Sequence, residues 1–230
     1  MLTLRPRTLI TLMALTSVVA CGYTSEGSGT QTLEATAFLR FTPTQEALTT
    51  GEVQLRYSGG VPVSGANITL TNGENDQLIA TFVESEANGE DGIYRGSFDG
   101  YVRRLALNIA KSSDVIEATL EGPSKHVLAA PANGTVYGRT DIGDAVDVIW
   151  EADDGLKADE VVVRFEESNF TNTFLNTNDP GQVSVPAEKV DDGINTISVV
   201  RRNRTNLAGG LGDSIFALEY EVINTIQYNP

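Results

Sequence analysis

Apolar side chains in this chain return at every second position, run after run, and past residue 31 no stretch shows a convincing 3.6-residue period. Val53, Leu55 and Tyr57 alternate with polar neighbours in "EVQLRY". Ala66, Ile68 and Leu70 do the same in "ANITL", Tyr94, Gly96 and Phe98 in "YRGSF", Leu105, Leu107 and Ile109 in "RLALNI", and Ile116, Ala118 and Leu120 in "VIEATL". A period of two puts alternate side chains on opposite faces of a strand, so each run offers one face to a core and one to water. The clusters "YSGGVPVSG", "TNGEND", "EANGEDG" and "KSSD" separate the runs with turn-forming residues. Alternation continues with Val146, Val148 and Trp150, with Val161, Val163 and Phe165, through "NTISVVRR", and with Phe216, Leu218, Tyr220 and Val222. The pattern predicts an all-β chain built as an antiparallel sandwich or barrel. Only "TQEALTT", residues 44–50, suggests a short turn of helix.

The alternation breaks once, at "EGPSKHVLAAPANG", residues 121–134, where two prolines and two glycines gather. Domain boundaries concentrate such residues. The expected division is a first β-sandwich over 32–125, a junction at 126–131 and a second β-sandwich over 132–230, each of ordinary sandwich size. Each part holds enough strands to close its own core, so few core contacts are expected to cross the junction. One larger sandwich is the rival arrangement, and length leaves both open.

The N-terminus follows a different rule. Arg5 and Arg7 precede an apolar stretch from Leu9 to Val19, broken only by threonines and Ser17. About eleven residues are too few to cross a bilayer, which takes roughly 20. A basic start, a short apolar core and a small residue form the pattern of a secretory signal. Ala20 is that small residue, and Cys21, the one cysteine of the chain, follows it. Val18, Val19, Ala20 and Cys21 resemble the lipobox of bacterial lipoproteins. The resemblance implies that the signal peptide, residues 1–20, is removed and that Cys21 becomes an N-terminus carrying several acyl chains, palmitate among them. Each buried lipid CH₂ contributes about 0.8 kcal/mol, so several chains anchor stably. Gly22, where an Asp would imply retention at the inner membrane, implies the outer membrane of a Gram-negative cell envelope. Residues 21–31 then form the lipidated Cys and a flexible tether, the last ten residues spanning roughly 17 Å.

Charge narrows the partner. Lys and Arg number 16 against 31 Asp and Glu, a net of −15, and loss of Arg5 and Arg7 with the signal takes it to −17. Such charge argues against nucleic acid and against anionic lipid surfaces. The expected contacts are the membrane through Cys21 and an envelope or extracellular protein or polysaccharide.

Within the first part, Pro62, Gly65 and Ala66 in "PVSGANITLTN", then Gly92, Tyr94 and Gly96 in "GEDGIYRGSF", resemble transthyretin-like and bacterial Ig-like domains over roughly residues 51–100. That resemblance implies a β-sandwich used for spacing or binding. Read physically, Pro62 and Gly65 shape a turn, and Tyr94 supplies apolar bulk with a hydroxyl that reaches backbone.

No reactive constellation emerges. Gly212, Asp213 and Ser214 imitate the nucleophile block of GDSL-type esterases, but that family supplies a late histidine and none follows here. "AGGLG" has no helix after it to offer a phosphate its N-terminus. His126, the single histidine, is expected to pack between the two parts. Trp150 reads as a core residue. Acids cluster at Asn88, Glu90 and Asp91, at Asp141, Asp144 and Asp147, at Asp153, Asp154, Asp159 and Glu160, and at Asp191 and Asp192. Calcium takes oxygens from such loops, yet none has the EF-hand pattern, and Asp favours turns for local reasons. Arg201, Arg202 and Arg204 form a basic spot, expected to be a solvated strand end or a contact for an acidic partner. The expectation is therefore two antiparallel Ig-like β-sandwich domains in tandem, without catalytic residues, metal or cofactor, serving structure or recognition. A Ca-assisted adhesin or carbohydrate-binding lipoprotein is the alternative.

Overall fold

A computed structural model describes residues 32–229 apart from 44–46, 88, 139–140, 142, 169 and 177. The expected signal peptide, Cys21 and tether lie outside the described residues. The alternating runs become strands: β1 (Leu33–Phe41), β2 (Leu48–Tyr57), β3 (Asn67–Asn72), β4 (Leu78–Glu84), β5 (Ile93–Asp99), β6 (Arg104–Lys111) and β7 (Asp114–Glu121). After them come β8 (His126–Ala130), β9 (Thr135–Gly138), β10 (Ala145–Ala152), β11 (Glu160–Phe165), β12 (Phe170–Leu175), β13 (Gln182–Pro186), β14 (Gly193–Asn206) and β15 (Ile215–Asn229). A 3₁₀ turn at Ala187–Lys189 is the sole helical element among the described residues. The turn of helix expected at 44–50 gives way at its C-terminal end to β2, which begins at Leu48.

The large sheet runs β12-β11-β14-β15-β1-β2-β5-β4-β3-β6-β7, with β9 added on β15; β13-β10-β8 form a second sheet. The large sheet folds over at β4. Its earlier residues pair with β3, while Val83 and Glu84 pair with β5. The two leaves bring Leu39 and Leu55 against Leu70, Leu107 and Ile109 in a first core. The leaves meet closely because Gly96 lacks a side chain: a Cβ there would stand 3.1 Å from the Phe82 ring. Tyr94, buried, donates its hydroxyl to the Val63 carbonyl at 2.8 Å and accepts from the Ala66 N–H at 3.0 Å. In the second core, Val148, Trp150 and Val185 face Val161, Phe165 and Val199.

The large sheet is mixed, which corrects the expectation of purely antiparallel pairing, while β13-β10-β8 is antiparallel throughout. β1 runs parallel to β15, Thr36 opposite Ile215 through Phe41 opposite Tyr220, and β9 is also parallel to β15. A hairpin forces its strands antiparallel, but strands drawn from opposite ends of the chain carry no such constraint.

One element serves both cores. The β14–β15 hairpin is in register from Asn206 opposite Ile215 to Gly193 opposite Tyr228. Toward its tip, Leu207, Phe216 and Leu218 stand in the first core, whereas Ile197, Val199 and Ile226 stand in the second. Core contacts therefore cross 126–131, and most of that stretch is itself strand, β8, paired with β10.

Candidate functional site

Arg201 and Arg202 are neighbours on a strand, so they point to opposite faces of the sheet. Arg201 points inward and is fully buried. Its Nε donates to Asp179 Oδ2 at 2.9 Å, and its Nη1 donates to the Ser124 carbonyl at 2.8 Å. Nη2 lies 2.8 Å from the same Asp179 oxygen and also donates to the Leu156 carbonyl. The other Asp179 oxygen accepts from Trp150 Nε1 at 2.7 Å. Burial disfavours the ionised carboxyl of Asp179, but the Trp150 bond and the Arg201 charge outweigh it and hold its pKa below the usual value. A buried charge pair with its remaining hydrogen bonds satisfied is a structural clamp. This one fastens the loops carrying Ser124, Leu156 and Asp179 to the shared hairpin.

His126 packs alongside, buried, as the first residue of β8. Its Nε2 is 3.1 Å from the Val199 carbonyl, which can only accept, so Nε2 carries the proton and donates. That leaves Nδ1 a buried acceptor without a partner. The imidazole sits 5.2 Å from the Tyr220 ring, and Tyr220 in turn packs on Tyr101 at 5.0 Å and Phe41 at 5.1 Å. Tyr101 donates its hydroxyl to the Pro123 carbonyl. Gly122 makes room here, since a Cβ on it would lie 2.3 Å from Leu218 Cδ2 and 2.6 Å from Tyr101 Oη. Burial first, and then the Arg201 charge, push the His126 pKa down to about 4. The single histidine thus stands neutral against both strands of the shared hairpin, in keeping with the packing role expected of it.

Arg202 points outward into a charge ladder. Register places Glu160 of β11, Arg202 of β14, Glu219 of β15 and Arg40 of β1 side by side across four strands. Arg202 Nη1 meets Glu160 at 3.0 Å, Arg202 Nε meets Glu219 Oε1 at 2.8 Å, and Arg40 Nε meets Glu219 Oε2 at 2.8 Å. Glu221 lies 3.6 Å from Arg40 Nη1. Beneath these side chains Glu219 is fully buried. Phe38 lies under both guanidinium groups, 5.0 Å from that of Arg202 and 6.0 Å from that of Arg40. An open depression of about 280 Å³ adjoins them, lined by Phe38, Arg40, Thr50, Gly51, Glu52 and Arg95. It presents an aromatic ring, guanidinium donors and a carboxylate acceptor.

The expected basic spot is thereby corrected. Arg201 is consumed by Asp179, Arg202 by Glu160 and Glu219, and Arg204 alone stays exposed. Ser214 is buried, its Oγ accepting from the Ala35 N–H at 3.1 Å. Trp150 is buried in the second core. Several of the acids in these clusters bond to protein groups: Glu90 to Arg95 and Ser85, Asp154 to Arg103 and Ser124, Asp147 to Ser184, and Asp141 to the Gly138 N–H. Asn88 lies outside the described residues. Among the described residues no group of three or more His, Cys, Asp or Glu is placed to hold a metal ion, and no helix is long and apolar enough to cross a membrane.

No protein-family model matches the chain, and no curated protein matches it. Among solved structures it is similar to a marsupial T cell receptor, at 8% identity over 86% of this chain and 74% of that one, with a TM-score of 0.28. It is also similar to a chain from a structure addressing host cell surface retention of a 1.5-MDa bacterial ice-binding adhesin. There the identity is 11% over 85% of this chain and 65% of that one, with a TM-score of 0.25. Nothing about the role of this chain follows from likenesses so distant.

Proposed function

We propose that the protein is a lipid-anchored component of the bacterial cell envelope with a non-enzymatic role in structure or recognition. Its signal peptide, residues 1–20, is removed; acylated Cys21 holds it in the outer membrane; residues 22–31 are the tether. The body is a pair of Ig-like, transthyretin-like β-sandwiches that share the β14–β15 hairpin and therefore do not separate at 126–131. The observation that supports this reading is the β14–β15 hairpin, which contributes to both cores and is clamped by Arg201 and Asp179. Buried charge in this molecule braces one element against another. A braced body on a short tether keeps a surface at a set reach from the membrane, and the face bearing Phe38 and Arg40 is the contact surface for an envelope protein or polysaccharide.

The test is fractionation. Cells expressing the wild-type chain and Cys21→Ser are labelled with a fatty-acid analogue, and membranes are washed in high salt. Wild type carries label and stays with the membrane; Cys21→Ser carries none and is released. A Cys21→Ser protein that remains bound after the wash overturns the anchor.

A further inference from the structure

Strand β12 ends the large sheet, and its outer side pairs with no strand among the described residues. Exposed sheet edges are usually blunted by charge, proline, a bulge or shortness, because their backbone groups otherwise template another strand. The opposite edge of the sheet shows such protection. β7 carries Asp114, Glu117 and Glu121, and Glu117 is bridged by Ala208. The edge strand β13 is bracketed by Pro180 and Pro186. β12 has none of these devices. Its six residues pair with β11 in unbroken register, and residues 168–178, "SNFTNTFLNTN", hold no charge in a chain of net −15.

The sequence of this edge names its occupant. "FTNTF", residues 170–174, reads the same in both directions. Two copies of a palindromic strand laid antiparallel, with the two-fold axis at Asn172, place Phe170 opposite the other copy's Phe174. The same axis places Thr171 opposite the other Thr173 and Asn172 opposite itself. Both kinds of cross-strand pair, aromatic with aromatic and Thr with Thr, are favourable. Phe170 and Phe174 already pack on the second core, while Thr171 and Thr173 are exposed, so the pairing continues an apolar face and a polar face across the axis. Strongly acidic copies repel, and an uncharged edge is where they can approach. We propose that the protein forms an isologous dimer by antiparallel pairing of β12 with β12 of a second copy.

The full chain, extracted in non-ionic detergent, is examined by sedimentation and by mild oxidation of single-cysteine variants. Wild type is expected at twice the chain mass. Asn172→Cys is expected to give a disulfide-linked dimer. Thr171→Cys and Thr173→Cys are each expected to give none alone but a cross-link when mixed, which fixes the register. Thr171→Glu/Thr173→Glu sets like charges directly opposite at solvent-exposed positions and is expected to raise the dimer dissociation midpoint about tenfold or more. Wild type under the same oxidation reports Cys21 separately, so a thiol left free by failure of the anchor is not mistaken for the β12 contact. A wild-type monomer, a dimer that the double Glu variant leaves intact, or Asn172→Cys cross-linked only to a different protein overturns the proposal.

Discussion

Arg201→Ala would strip Asp179 of its cation while leaving the carboxylate buried beside Trp150. Removing one partner of a buried pair costs about 3–5 kcal/mol. Urea melts of Arg201→Ala should show a loss of that order, against less than about 0.5 kcal/mol for Arg204→Ala on the exposed stretch of the same strand. Equal losses would mean that the clamp is not where the charge pair stands. His126 sets a pH window. Its folded pKa, about 4, lies below its ordinary 6.5, so between those values the unfolded chain binds a proton that the folded chain does not. Stability is full above about pH 6.5 and falls as the pH drops; Asp179, held below its ordinary value, adds its own loss at still lower pH. Between pH 6.5 and 5, above the range of ordinary carboxylates, the loss due to His126 should be about 1.5 kcal/mol. His126→Gln should flatten that slope whatever it does to absolute stability, and an unchanged slope would assign the effect elsewhere.

At the scale of elements, the period of two was enough to find most strands, and β1 obeys it too, with Leu33, Ala35, Ala37, Leu39 and Phe41 buried along one face. Which strand lies beside which was not legible. β1 meets β15 across 179 positions, the separation of Ala35 from Ser214, and no local pattern records such a pairing. The same distance hid the site. Arg201 and Arg202 looked like solvated cations because Asp179 and Glu219 stand 22 and 17 residues away in sequence. Trp150 and Tyr94 were legible because burial follows directly from alternation. The shared hairpin makes a prediction about fragments. Residues 32–125 alone lack β15 beside β1 and lack Leu207, Phe216 and Leu218 in the core. Burying such side chains contributes roughly 1.5–3 kcal/mol each, a sum comparable with a typical domain stability of about 5–15 kcal/mol. That fragment should melt without cooperativity by circular dichroism and gain a cooperative transition when residues 126–230 are added. A sharp, independent melt of 32–125 would show that its core closes without the hairpin.

For the whole molecule, a hairpin common to both cores predicts a single unfolding transition. Trp150, the one tryptophan, lies in the second core, so its fluorescence reports that core alone, whereas far-ultraviolet circular dichroism reports every strand. The two signals should give one midpoint in urea; separated midpoints would mean the cores unfold independently. The parallel pairing of β1 with β15 has a mechanical consequence as well. A pull between residue 32 and the far end of β15 drags the two strands in opposite directions along their length. The ladder between Thr36–Phe41 and Ile215–Tyr220 is then loaded in shear. Its hydrogen bonds must yield together rather than peel one after another, and β15 carries the load over roughly 50 Å at 3.3 Å per residue. Tension along that line is thus borne by the β1–β15 ladder and not by the turns.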